Sequence, residues 1–231
     1  AQLSRGLGDV YKRQAIERIK VLLDESPQYE DGFSMLEQMI DQRNEEVMAN
    51  EVLTQALEKI GDFGRLVTTL RRLLAVTEDR HEQGSLWMKV AHIYQEIFKD
   101  NVSAFEAYSY ALKAAPLTEN TYMAMYNIVS QTEDAWPRLA EELELAINEL
   151  QGIDIDQVGG NQALVQLHQW AASIYENQLQ HDQQAIYHWE SIKNLLSEEQ
   201  DPLIALERLY ERNGLWKELA LTLRDLSLIH I

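Results

Sequence analysis

The feature that most limits what this chain can become is a repeat. Ala91-x-x-Tyr94 followed by Ala104-x-x-x-Tyr108 returns 81 residues later as Ala172-x-x-Tyr175 and Ala185-x-x-x-Trp189. Further along, Ala124-Met125 and Trp136 correspond to Ala205-Leu206 and Trp216. Gly61-Asp62-Phe63-x-x-Leu66-x-x-x-Leu70-Arg71 matches Gly214-Leu215-Trp216-x-x-Leu219-x-x-x-Leu223-Arg224. The aromatics Phe63, Trp136 and Trp216 are thus spaced by 73 and 80 residues, two helical hairpins each. Repetition on this scale implies units that cannot bury an apolar face alone and must stack on their neighbours.

The units read as helical. Leu139, Leu143, Ala146, Ile147 and Leu150 form one apolar stripe, and Glu141, Glu142, Glu144 and Glu149 take the other face. Trp87, Val90, Ala91, Tyr94 and Ile97 form another stripe, and each needs a partner helix to cover it. With 4 prolines and 10 glycines in 231 residues, long stretches hold no strong breaker. The periodicity predicts helices at about 15–25, 30–42, 45–60, 63–76, 80–98, 102–114, 119–131, 136–150, 161–180, 183–196, 202–213 and 215–225. Gly61 and Gly214 sit between helices, where a left-handed turn is wanted. Asp201 before Pro202, and Asp182 before Gln183, read as N-caps. Connections of two to five residues make neighbouring helices antiparallel. The stretch 151–160 is the one long loop, dividing repeats at 15–150 from repeats at 161–225 in the same array.

Trp87-x-x-Val90-Ala91-x-x-Tyr94, then Ala104-x-x-x-Tyr108-x-x-Ala111, then Pro116, resembles the tetratricopeptide signature, with one extra residue between the Tyr and the Ala. Leu206-Glu207-Arg208-Leu209-Tyr210 with Gly214 and Trp216 is similar to blocks of large bacterial proteins that string many divergent units of this kind together. The resemblance implies an all-α solenoid of about twelve helices, a right-handed superhelix of antiparallel hairpins. It also implies that the first helix of each hairpin lines a concave face, making Gln95, Asn127, Gln166 and Gln169 candidate groove residues. The physics agrees with the pattern. Small residues (Ala91, Ala104, Ala111, Ala172, Ala185) let backbones approach, and large aromatics fill the gaps between hairpins. Truncating Trp87, Trp136, Trp189 or Trp216 to Ala is expected to cost ~3–5 kcal/mol wherever the ring is buried.

The two ends carry a different signal. Asp9-Val10-Tyr11-Lys12-Arg13-Gln14 is encodable as GAT-GTG-TAT-AAG-AGA-CAG, whose reverse complement translates as Leu-Ser-Leu-Ile-His-Ile, residues 226–231. Both ends resemble the transposon mosaic-end adapter of sequencing libraries read from its two sides, and Ser4 to Gly8 reads like the adjoining adapter. Residues 1–14 and 226–231 are therefore expected to be non-native tails around an internal piece of a larger bacterial protein. A cut array exposes apolar ends, so self-association through them is expected.

Charge and chemistry narrow the function. The formal net charge is −18, which repels phosphate backbones and argues against nucleic acid while favouring basic protein or peptide partners. No apolar run reaches the ~20 residues of a membrane span. There is no cysteine, so disulfides, thiolate catalysis and cysteine-based metal sites are excluded. Of the six histidines, His181 and His188 stand seven apart with Glu190 nearby, and they read as solvated surface residues rather than ligands. Gly159-Gly160 has no Walker lysine after it, and Asp154 and Asp156 lack the other ligands of a calcium loop. No Gly-x-Ser-x-Gly elbow occurs.

These observations lead to a non-catalytic protein- or peptide-binding scaffold with no cofactor and no metal. The alternatives are a carbohydrate- or nutrient-binding protein on the same repeats, and an α/α-toroid enzyme with carboxylates converging at one mouth. The first would need long aromatic-bearing insertions, and the second a closed cleft.

Overall fold

The computed structural model describes residues 2–41, 46–118, 120–151, 160–196 and 199–229. Among them there are twelve α-helices and no strand. The helices are α1 (Gln2–Glu25), α2 (Glu30–Asp41), α3 (Glu46–Ile60), α4 (Phe63–Leu74), α5 (Arg80–His92), α6 (Asn101–Ala114), α7 (Thr121–Ser130), α8 (Trp136–Gln151), α9 (Gly160–Asn177), α10 (Asp182–Leu195), α11 (Asp201–Arg212) and α12 (Trp216–Ile229). A π-helical turn, Ile93–Ile97, follows α5. The all-α expectation holds, and interior boundaries fall within a few residues of those predicted. At the ends, α1 and α12 run into the segments set aside as adapter-like; Lys12, Arg13 and Gln14 are good helix formers, and no proline stands there to stop the extension.

The chain forms two compact units, Ala1–Ala107 and Tyr108–Ile231. In the first, α1 packs on α2 and α3, α2 on α3, α3 on α4, and α4 on α5. Ile16, Ile19 and Leu23 of α1 meet a core containing Phe33 and Leu36 of α2, Leu53 and Leu57 of α3, and Leu66 and Leu70 of α4, all buried. Polar links join next-but-one helices. Lys59 of α3 pairs with Asp24 of α1. Arg65 of α4 reaches Glu30 and Glu37 of α2 at 3.4 and 3.6 Å, with its guanidinium 4.9 Å over the Phe33 ring.

The second unit repeats this plan. α7 packs on α8, α8 on α9, α9 on α10, α10 on α11 and α11 on α12. Again the polar links skip one helix. Lys113 of α6 binds Glu142 of α8 at 2.8 Å, Arg208 of α11 binds Glu176 of α9 at 2.8 Å, and Lys193 of α10 binds Asp225 of α12 at 2.8 Å. Contacts to the next helix and to the one after it are what hairpins stacked on hairpins produce. Within each unit the small-residue positions are closed: Ala91, Ala104, Ala111, Ala172 and Ala185 are all 0 % exposed.

Helix ends carry the repeat in the backbone. Gly61 (φ 73°) and Gly214 (φ 66°) are left-handed, and the following amides bond back five residues, Asp62 N to Leu57 O at 3.1 Å and Leu215 N to Tyr210 O at 2.9 Å. These are Schellman ends, and glycine supplies the positive φ without a Cβ clash. A wider end occurs twice, 81 residues apart. Asp100 N bonds Tyr94 O at 2.9 Å past Lys99 (φ 54°), and His181 N bonds Tyr175 O at 2.8 Å past Gln180 (φ 55°).

Two expected caps are corrected. α11 starts at Asp201 with Gln200 as N-cap, and α10 starts at Asp182 with His181 as N-cap, neither cap making a side-chain bond. The Asp182 carboxylate accepts from Arg212 and, at 2.8 Å, from Asn213 instead; a charged fork competes well against a backbone amide. The stretch 152–159, with Asp154, Asp156 and Gly159, lies outside the described residues.

Candidate functional site

In the first unit, α3, α4 and α5 leave two adjoining clefts of about 350 and 370 Å³ that share Thr54, Glu58 and Lys89. Their walls follow from helical spacing. On α3, Glu51, Thr54, Gln55 and Glu58 recur at three and four residues and so share one face. On α5, Glu82, Ser85, Leu86 and Lys89 do the same. The floor is apolar, with Phe63, Leu66 and Leu70 of α4, Met88 of α5, and Ile93.

The groove holds two kinds of unspent polarity. The Thr54 hydroxyl is buried with no hydrogen-bond partner, in a side chain only 6 % exposed. A buried hydroxyl without a partner costs free energy, so this one is either a defect or a contact point. Around it, Glu51, Glu58 and Glu82 are exposed, and among the described residues none of them is in an ion pair, unlike Glu30 and Glu37 on the neighbouring helix. Lys89 is the one lysine or arginine lining either cleft.

The residues named from sequence lie elsewhere. Gln95 is half-buried in the π-helical turn of the first unit. Asn127 is exposed on α7 in the second unit, and Gln166 and Gln169 are half-buried on α9, hydrogen-bonded to each other at 3.4 Å. Beside Gln169, Trp170 stacks on Tyr122 of α7, with centroids 4.4 Å apart and planes 4° apart. Burial, with Tyr126 behind it, pushes the Tyr122 hydroxyl up to about 12. Of the aromatic positions, Tyr108 is buried, while Trp87, Tyr94, Trp136, Tyr175 and Trp189 are half-buried; Pro116 is buried. Trp216 is corrected: it is 66 % exposed, because it opens α12 at the edge of its unit, where no later helix packs over it among the described residues.

The surface reading of His188 is also overturned. His188 is 0 % and His168 2 % exposed, while His181 is exposed. His188 Nε2 lies 3.0 Å from Glu144 Oε1, and Tyr175 donates to the same oxygen at 3.4 Å. Tyr175 also stacks on the His188 ring, 5.5 Å between centroids. The His188 bond holds the Glu144 carboxyl below its usual range against the opposing effect of burial. An apolar helix face hid this network from sequence reading, since His168 and His188 are 20 residues apart and meet only when α9 and α10 pair. Among the described residues no group of three or more His, Asp or Glu stands so as to hold a metal ion, and no helix is long and apolar enough to cross a membrane.

No family model matches this chain, and no curated protein does. Among solved structures it aligns with a crystal structure of BtubC (BKLC) from P. vanneervenii at 15 % identity, over 98 % of this chain and 91 % of that one, with a TM-score of 0.41. At that score the alignment carries no argument about function.

Proposed function

We propose that the chain is a protein- or peptide-binding scaffold of tetratricopeptide-like hairpins, with the α3–α5 groove as its binding surface. One observation carries the reading: a cleft with an apolar floor adjoins a second lined by the uncommitted carboxylates Glu51, Glu58 and Glu82, and Thr54, with its buried unsatisfied hydroxyl, lines both. Surface polar groups that fold stability does not use are the ones available for recognition. Hairpin stacking within the unit suits this role, because it leaves the faces of α3 and α5 uncovered side by side. The scaffold is non-catalytic in this reading.

A peptide-display selection tests it. Peptides enriched on the wild-type chain and lost on a Met88→Trp variant, which fills the floor, support the groove. No enrichment, or equal retention by the variant, counts against it.

A further inference from the structure

We propose that the groove takes a short extended peptide in which Lys or Arg residues flank one large apolar side chain; this rests on the scaffold reading above. Three features of the cleft lead there. First, the floor of one of the two adjoining clefts, Phe63, Leu66, Leu70 and Met88, offers nothing to a polar side chain but can cover an aliphatic or aromatic one. Second, the adjoining cleft is lined by three carboxylates, Glu51, Glu58 and Glu82, and a single lysine, Lys89. The three carboxylates have no internal cation to answer to among the described residues, while Asp24, Glu142, Glu176 and Asp225 all do. The chain's −18 charge adds a long-range field of the same sign. Third, Thr54 lines both clefts with its hydroxyl buried and unpartnered, so a bound segment whose backbone draws that hydroxyl outward gains a hydrogen bond the free chain lacks.

Dimensions set the length. Glu51 and Glu58 are seven residues apart on α3, about 10 Å at 1.5 Å per residue. An extended peptide covers that in about three residues. A peptide running across both clefts therefore sets basic residues near Glu51 of the second and Glu58, which lines both, with its apolar anchor over the floor of the first. An acidic peptide meets like charge on the same rim.

The experiment measures fluorescence anisotropy of three capped peptides carrying an uncharged dye: Arg-Arg-Leu-Arg-Arg, Glu-Glu-Leu-Glu-Glu and Arg-Arg-Ser-Arg-Arg. The first is expected to bind at least roughly tenfold more tightly than either of the others. If the acidic peptide binds as well, the basic partner is wrong and the groove reading survives. If the serine peptide binds as well, the acidic surface merely collects cations and the apolar anchor is wrong. If none binds, the groove reading falls too. The triple change Glu51→Gln, Glu58→Gln, Glu82→Gln is expected to weaken the first peptide by roughly tenfold. Glu133→Gln, Glu199→Gln, Glu211→Gln makes the same charge change at exposed sites in the other unit and is expected to weaken it less than threefold. Equal losses overturn the proposal, and unchanged helical circular dichroism in both variants shows that folding is not the cause.

Discussion

His168 Nδ1 lies 2.8 Å from His188 Nδ1, inside the core where α9 and α10 pair. Two nitrogens at that distance share one proton, so one ring donates and the other accepts. His188 meets Glu144 through its other nitrogen, Nε2. Burial, and then the neighbouring His188, lower the pKa of His168 from 6.5 to about 4, against the opposing pull of Glu144. Tyr187 and Tyr175 close the rest of the surroundings with ring faces and edges.

This geometry makes stability depend on acidity with a definite sign. Between pH 6.5 and 4 the unfolded chain protonates His168 and the folded chain does not, so stability falls as pH falls. The contribution is complete above about 6.5 and is lost by about 4; a displacement of that size corresponds to about 3 kcal/mol. Urea midpoints across this range test it. His168→Phe is expected to have a lower plateau, because His188 loses its partner, but a flatter profile. Parallel profiles for the two proteins would refute the assignment.

The left-handed residues predict opposite outcomes at matched turns. An alanine Cβ at Gly61 or Gly214 meets only ordinary contacts, Phe63 at 3.7 Å and Trp216 at 3.8 Å, so its cost is the backbone conformation. Gly61→Ala and Gly214→Ala are expected to destabilise by ~1 kcal/mol each. Lys99 and Gln180 already bear that strain, so Lys99→Gly and Gln180→Gly are expected to stabilise by up to about 1 kcal/mol. The exposed Lys99–Glu96 pair contributes too little to reverse the sign. Thermal midpoints of the four variants decide the matter.

Trp189 and Trp216 both occupy aromatic positions of the sequence repeats, at different places in the unit, and differ in burial. Trp189 packs on the Ala185, Leu206, Leu209 and Tyr210 cluster, with its indole nitrogen buried and unpartnered. Trp189→Ala is expected to cost about 2–4 kcal/mol, and Trp189→Phe within about 1, since it also removes the unsatisfied donor. Trp216→Ala is expected to cost less than about 1 kcal/mol. Denaturant unfolding of each variant gives the ranking.

Thr54→Val keeps the shape of the side chain and removes the orphaned hydroxyl. It is expected to stabilise the first unit by about 1 kcal/mol and to weaken peptide binding in the groove. Unchanged stability would mean the hydroxyl has a partner in solution.

The amino-acid order alone determined the helices and the turns. Alanine and aromatic spacing, few breakers and glycines at 61 and 214 act over a few residues, and local chemistry settles them without the rest of the chain. The same order marks Trp136 and Trp216 as equivalent, though one is half-buried and the other exposed, because pattern records residue type and not what packs over it. Tertiary packing decided what was left. It buried His188, which a seven-residue spacing from His181 had suggested was outside. It gave Asp182 to Arg212 rather than to its own helix. It brought Glu51, Thr54 and Glu58 opposite Glu82 and Lys89, a meeting of α3 and α5 that no local interval encodes. Burial and pairing depend on which helix faces lie together, and that is a property of the stacked hairpins as a whole.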